Sequence, residues 1–317
     1  MEDVVVAGSG VTGLAVALAA ARRGLRVRVC DPAPLGDNAS GVAAGMLAPA
    51  FEAALDPLSA DHFKLFRTAR DLWPDFAPVE IARDGALYVG SAREAAAAKL
   101  AAVGAAHEVT PQGVFTPEDW RLEPLDALAV LRREAEAAGV VFADETVVET
   151  PAARLVLATG AARGLAPELA ALMPIKGHIL RLDGGPVSGP VIRGEGVYVC
   201  PSSNGALAGG TMEEGLGDRA VDDARAAALH AAAAAVVPEL GALGATARAA
   251  VRAGTPDGLP LAGPSLASSV VLAVGMRRNG WLLAPLVARV TAAYLAGEDP
   301  GPHAAQLDAK RFSRGAS

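Results

Sequence analysis

"DVVVAGSGVTGLAVALAAARRGLRVRVCDPA", residues 3–33, decides how the rest of the chain is read. Four apolar residues, Val4 to Ala7, lead into a glycine-rich turn, then a run of small apolar residues, then a second apolar stretch ending at Asp31. That succession is one strand–helix–strand unit. The turn, Gly8-Ser9-Gly10-Val11-Thr12-Gly13, is a GxGxxG in which each glycine has its own task. Gly8 turns the chain off the strand, Gly10 lets a pyrophosphate approach the backbone at the helix N-terminus, and Gly13 lets the helix pack on the sheet. Asp31 follows about 20 residues on, where a carboxylate accepts from ribose hydroxyls. A glycine-rich turn alone is weak evidence. With a strand before it, a helix after it and the acid in place, it predicts a dinucleotide site on Gly8, Gly10, Val11, Thr12, Gly13 and Asp31.

The whole chain has 317 residues, enough for one large domain or two closely joined ones with a sizeable core. Its 52% hydrophobic content excludes a disordered protein; its net charge is −7, and no window combines clustered Lys/Arg with aromatics, so nothing recommends nucleic acid as a partner. No apolar run is long and uncharged enough to span a bilayer, since Arg289 breaks the C-terminal one. The opening Met-Glu-Asp runs straight into a strand and leaves no room for a secretion signal, so a soluble, cytoplasmic protein is expected. Cys30 and Cys200 have no metal-like spacing and fit a reducing compartment. The five histidines are scattered, so no metal site is expected.

Helical patterns follow at 58–72, 92–103, 124–138 and about 220–236. "HILRLDG", "GVYVCP" and "ALAGGTM", between 173 and 212, alternate and are punctuated by Gly and Pro, as antiparallel strands are. "SVVLAVGMRRNGWLLAPLVARVTAAYLAG" then repeats the strand, turn, helix pattern. The expected fold is α/β (α+β overall): a Rossmann-like nucleotide-binding domain from 1–78, 124–172 and 252–317, with an inserted, mostly antiparallel substrate domain from 79–123 and 173–251.

The chain has one GxGxxG and no second, which indicates a single dinucleotide cofactor. "LVLATG", 155–160, resembles the second fingerprint of FAD-dependent oxidoreductases, and "VLAVGMRRNGWLLAP", 271–285, resembles their C-terminal flavin segment. "ASGVAAGMLAPA" (39–50), "MPIKGHIL" (173–180) and "VRAGTPDGLPLAGP" (251–264) extend the match nearly end to end. Together they resemble the D-amino-acid-oxidase-like flavoproteins, and among them the glycine oxidases of thiamine biosynthesis. The resemblance implies non-covalent FAD, because no cysteine lies near "RAGTPDG" to attach it. It places Ser40 near the phosphates and Ala44, Gly45 and Met46 along the flavin ring. Thr159 and Gly160 lie beside the cofactor, and Arg278, Asn279, Gly280, Trp281 and Leu282 form the segment whose helix, opening at Gly280, points at the flavin C2 carbonyl. Its positive dipole end would stabilise negative charge on the ring.

For the substrate the resemblance implies a small amino or imino acid. Its carboxylate would be clamped by Arg252, the residue type whose fork matches a carboxylate, and hydrogen-bonded by Tyr198. Met212 and Met46 would limit the pocket, with Arg278 supporting. Tyr198 and Met212 share a face only if their strands pair in the right register. A two-residue Asn204-Gly205 turn would put Met212 on the wrong side, and Pro201 sits badly in a ladder, so the longer loop "PSSNG" and a shared face are expected. The expected reaction is oxidation to the imine, then the oxo acid and ammonia, with O2 reduced to H2O2. A homo-oligomer is left open. The sequence does not decide the oxidant, so a dehydrogenase of the D-amino-acid or cyanide-synthase type stays open, as does a non-catalytic FAD-binding subunit. The acidic charge weighs against the tRNA-modifying members of the fold. Three departures stand out: Asp31 replaces the family's usual glutamate, Met276-Arg277 precedes Arg278 where an aromatic is usual, and 147–154 joins two strands where relatives carry a hairpin.

Overall fold

The computed structural model describes residues 2–149, 153–185, 187–267 and 269–315, the last three of these as backbone only. Its first sheet has six strands in the spatial order Leu261–Pro264, Val270–Val274, Arg154–Leu157, Val4–Ala7, Val27–Cys30, Val141–Ala143. All pairs are parallel except the first. Both faces of this sheet are covered, which is why its central strands read as unbroken valine and leucine rather than as an alternation. Helices Val11–Ala21 and Gly280–Ala296 pack on one face, and the small residues of the first allow the close approach. The chain leaves Val4–Ala7 towards Val27–Cys30 and later returns on its other side as Arg154–Leu157, so the topological switch point lies at the first strand. Open α/β sheets bind ligands beyond the carboxyl ends of the strands at such a point. The chain between 143 and 154 includes Thr150, Pro151 and Ala152, which lie outside the described residues, and the shortened connection expected there falls partly on them.

The second sheet is mostly antiparallel, with Ala86–Tyr88 beside Val191–Gly194 as its parallel pair. Its long strand Met173–Asp183 pairs along one edge with Ala245–Gly254, and along the other with Gly205–Gly209 and then Glu213–Glu214. The hairpin between Val197–Ser202 and Gly205–Gly209 corrects the expected loop: Ser202 pairs with Gly205 across a two-residue Ser203-Asn204 turn. Pro201 stays in the ladder opposite Ala206. It falls at the alternate position whose N–H would point away from the partner, towards a side where pairing with Val191–Gly194 has already ended at Val199.

This register puts Tyr198 opposite Gly209, and an unbroken strand would then aim Met212 at the other face. A bulge prevents that. Ile179 pairs with Gly209 but Lys176 pairs with Glu213, so the steps from 176 to 179 oppose one residue more on the partner. The extra residue, taken up between Gly210 and Met212, reverses the alternation and returns Met212 to the face of Gly177, Ile179 and Tyr198.

Candidate functional site

A cavity of about 430 Å³ opens at the switch point. Gly8, at φ +106°, makes the turn, and a Cβ there would overlap the Ala158 carbonyl. Gly10 caps the helix in ordinary extended backbone, and Ser40 Oγ accepts from Val11 N–H at 3.0 Å. Asp31 lines this cavity as Thr12, Ser40, Thr159, Gly160 and Gly280 do. Its carboxylate accepts from Ser9 N and Oγ at 2.7 and 2.9 Å on Oδ2 and from Ala33 N at 2.9 Å on Oδ1, which leaves one acceptor site on Oδ1. Gly13 lies outside the lining and serves helix packing, since a Cβ there would overlap the Gly8 carbonyl. Leu282 also lies outside it: its side chain is in the core, so only its backbone N–H belongs to the helix terminus that was expected to meet a cofactor.

A second cavity of about 300 Å³ adjoins the first, and Ala39, Ala43, Ala250, Arg252, Arg278 and Trp281 line both. Ala44, Gly45, Met46, Tyr198, Met212 and Asn279 line the second one only. Two glycines of the roof bring its polar groups together. Tyr198 lies over Gly209, where a Cβ would overlap the phenol oxygen, and Arg252 lies over Gly177, where a Cβ would overlap Nη2. Both side chains can therefore lean across a neighbouring strand towards each other.

Arg252 has no carboxylate partner among the described residues. Nη2 donates to Thr211 O at 2.9 Å and Nη1 to Met212 Sδ at 3.0 Å. Burial, with the nearby Arg278 and Arg277 charges, pushes its pKa below the usual guanidinium value, although an arginine stays charged. Burial likewise pushes the Tyr198 phenol up to about 12, so it remains a donor.

Arg278 is placed differently from a clamp. Its Nε donates to Glu52, and its Nη2 lies 3.4 Å from Asp56. Burial alone would lower its pKa, but the two carboxylates hold it raised. Arg277, in left-handed backbone at φ +49°, pairs with buried Asp56, and Arg193 reaches Glu52 at 3.3 Å. Sequence reasoning missed Glu52, Asp56, Arg193, Gly177 and Gly209. The signals available were two acids at i and i+4 after Pro49, and glycines inside otherwise apolar strands. Cys200 donates to Ala44 O at 3.3 Å, and burial holds its thiol at about 12, which keeps it inert beside the Ala44–Met46 segment.

The residues 3–294 match the family described as FAD dependent oxidoreductase (DAO). The chain belongs to this family. It is 30% identical over 94% of its length to the tRNA 5-methylaminomethyl-2-thiouridine biosynthesis bifunctional protein MnmC of Maricaulis maris, and spans about half of that relative (52%). It is 28% identical to the glycine oxidase of Pseudomonas aeruginosa, covering 96% of this chain and 98% of that one. Its structure superposes on glycine oxidase from Geobacillus kaustophilus with a TM-score of 0.82 at 22% identity, over 98% of both chains.

An FAD-dependent oxidoreductase needs a cradle for its dinucleotide, and the two cavities fit one. Three buried polar groups on their walls find no partner among the described residues: Asn38 Nδ2, Thr159 Oγ1 and Asn279 Nδ2. The Asn38 amide is oriented unambiguously, because its Oδ1 accepts from Ser40 N and Gly41 N at 3.0 and 3.1 Å. Such orphans are costly unless a ligand satisfies them. Among the described residues no helix is long and apolar enough to cross a membrane.

Proposed function

We propose that this FAD-dependent oxidoreductase oxidises glycine, or a similarly small amino or imino acid, to the imine, with dioxygen as acceptor and hydrogen peroxide as product. The observation that carries the reading is Arg252: a desolvated guanidinium with no carboxylate partner among the described residues, beside a protonated tyrosine, in a cavity joined to the dinucleotide cradle. A substrate carboxylate would take the two parallel donors of Arg252 and a third from Tyr198. Arg278, engaged by Glu52 and Asp56, shapes the wall instead. Met46, Ile179 and Met212 give the substrate an apolar surround that excludes water and favours a small side chain. FAD, when bound, supplies the two-electron acceptor and passes the electrons on to oxygen.

Glu52 is the carboxylate on this wall, and two arginines occupy it, so the reading has the substrate enter with its amine already neutral. The imine then hydrolyses in water to the oxo acid and ammonia. The glycine oxidases among its relatives support the substrate class, and the resemblance of its motifs to the glycine oxidases of thiamine biosynthesis supports a place in that pathway. The net charge of −7 weighs against an RNA substrate of the kind the MnmC relative's name suggests. The test is anaerobic mixing of the flavin-loaded protein with glycine, sarcosine, D-alanine and D-proline, followed by aeration and a peroxide assay. Bleaching ranked with the smallest substrates first, then peroxide, is expected. Bleaching without peroxide would make the protein a dehydrogenase, and no bleaching by any of the four would refute the reading.

A further inference from the structure

Helix Gly280–Ala296 carries a proline, Pro285, near its start. Proline has no N–H, and its ring crowds the carbonyl four residues back. The carbonyl of Trp281 therefore lacks its intrahelical donor. The indole of Trp73 takes that place: Nε1 donates to Trp281 O at 2.8 Å, with both indoles buried and their rings 5.9 Å apart. Trp281 in turn donates from its own Nε1 to Ser40 O at 3.0 Å, and Ser40 Oγ accepts from Val11 N–H. One run of hydrogen bonds thus ties together the N-termini of the two helices that open on the cavities. Trp73 lines neither cavity, and its hydrogen bond reaches their wall through Trp281.

We propose that Trp73 is a positioning residue for the flavin ring. By supplying the donor that Pro285 removes, it fixes the first turn of helix 280–296, whose free N–H groups and positive dipole end would stabilise the negative charge of a reduced flavin bound there. The proposal rests on the FAD reading above. Packing alone would also bury a tryptophan here, and Trp73→Phe separates the two, since it keeps an aromatic ring and removes only the indole donor.

The experiment uses purified, flavin-loaded protein and titrates sulfite, an anion whose addition to flavin responds to positive charge near the ring, by loss of visible absorbance. Reduction potential and thermal unfolding are measured alongside. Trp73→Phe is expected to keep its flavin but bind sulfite about fivefold more weakly, the worth of one net hydrogen bond, with a lower potential. Adding Pro285→Ala restores a backbone N–H to Trp281 and is expected to recover both. Unchanged sulfite affinity in Trp73→Phe, or a loss that Pro285→Ala does not repair, would leave Trp73 as packing and overturn the proposal. If Trp73→Phe alone fails to fold, Pro285→Ala is compared with the double variant; equal sulfite affinity is expected, and a fivefold difference overturns it. Wild-type protein that takes up no flavin would instead overturn the cofactor reading and this proposal with it.

Discussion

Arg252 is legible at the head of "RAGTPDG", but the reason it can serve is not in that segment. It lies over Gly177 on the neighbouring strand, and a methyl group there would overlap its guanidinium. Gly177→Ala is accordingly expected to leave the fold and flavin intact, because the backbone at 177 is not in the left-handed region and the one backbone atom crowded, Thr211 O at 3.0 Å, need give by only a few tenths of an ångström, and to displace Arg252. Catalytic efficiency should fall about 100-fold, the scale of a 1 Å misplacement, which steady-state kinetics on glycine would show. Glu52 and Asp56 escaped the sequence reading for a related reason: their partners Arg278 and Arg277 lie 226 and 221 positions away, and no local pattern announces such a pairing. Asp119, wholly buried, accepts from Ala50 N and Phe51 N, and burial raises its carboxyl from 3.8 to about 6. Folding therefore takes up a proton at this group, which favours the fold most below pH 3.8 and loses that contribution as the pH climbs to about 6. Asp119→Asn should remove that slope, so that across this window the variant gains up to about 3 kcal/mol on wild type, measured by urea unfolding at stepped pH.

Among the elements, the first strand–turn–helix was the most legible, because glycine at fixed spacing between an apolar strand and a helix has few other uses. Gly10 has backbone that any residue adopts, and a Cβ there would stand 3.2 Å from Ser40 Oγ. Gly10→Val should thus fold, while its branched side chain fills the approach a pyrophosphate needs. The purified variant is expected to be colourless with a wild-type circular-dichroism spectrum, and normal flavin absorbance would show that the cofactor lies elsewhere. The hairpin at 197–209 was read wrongly in its turn and rightly in its consequence. Met212 does share the face of Tyr198, through a bulge rather than a long loop. One inserted residue leaves no mark in composition or periodicity, whereas the strands on either side of it are plain in their alternation.

For the molecule as a whole, the order of elements and the motifs at both ends carried the fold, since a parallel sheet covered on both faces demands valine-rich strands and small-residue helices. What the order could not carry is the meeting of the two sheets, where side chains from Pro49–Leu55, from the Tyr198 and Arg252 strands and from the 277–281 turn close on one cavity. Four arginines, 193, 252, 277 and 278, gather in and beside it with Glu52 and Asp56, and only Arg252 is left without a carboxylate partner among the described residues. That asymmetry is the central claim, and Arg252→Ala tests it most directly. The variant should fold and hold FAD, while kcat/KM on the best carboxylate substrate falls by roughly 30-fold to several-thousand-fold, the range expected for losing one partner of a desolvated charge pair. Arg252→Lys should rescue little, because an ammonium cannot form the two parallel bonds. Near-normal kcat/KM in a flavin-loaded Arg252→Ala protein would contradict the account.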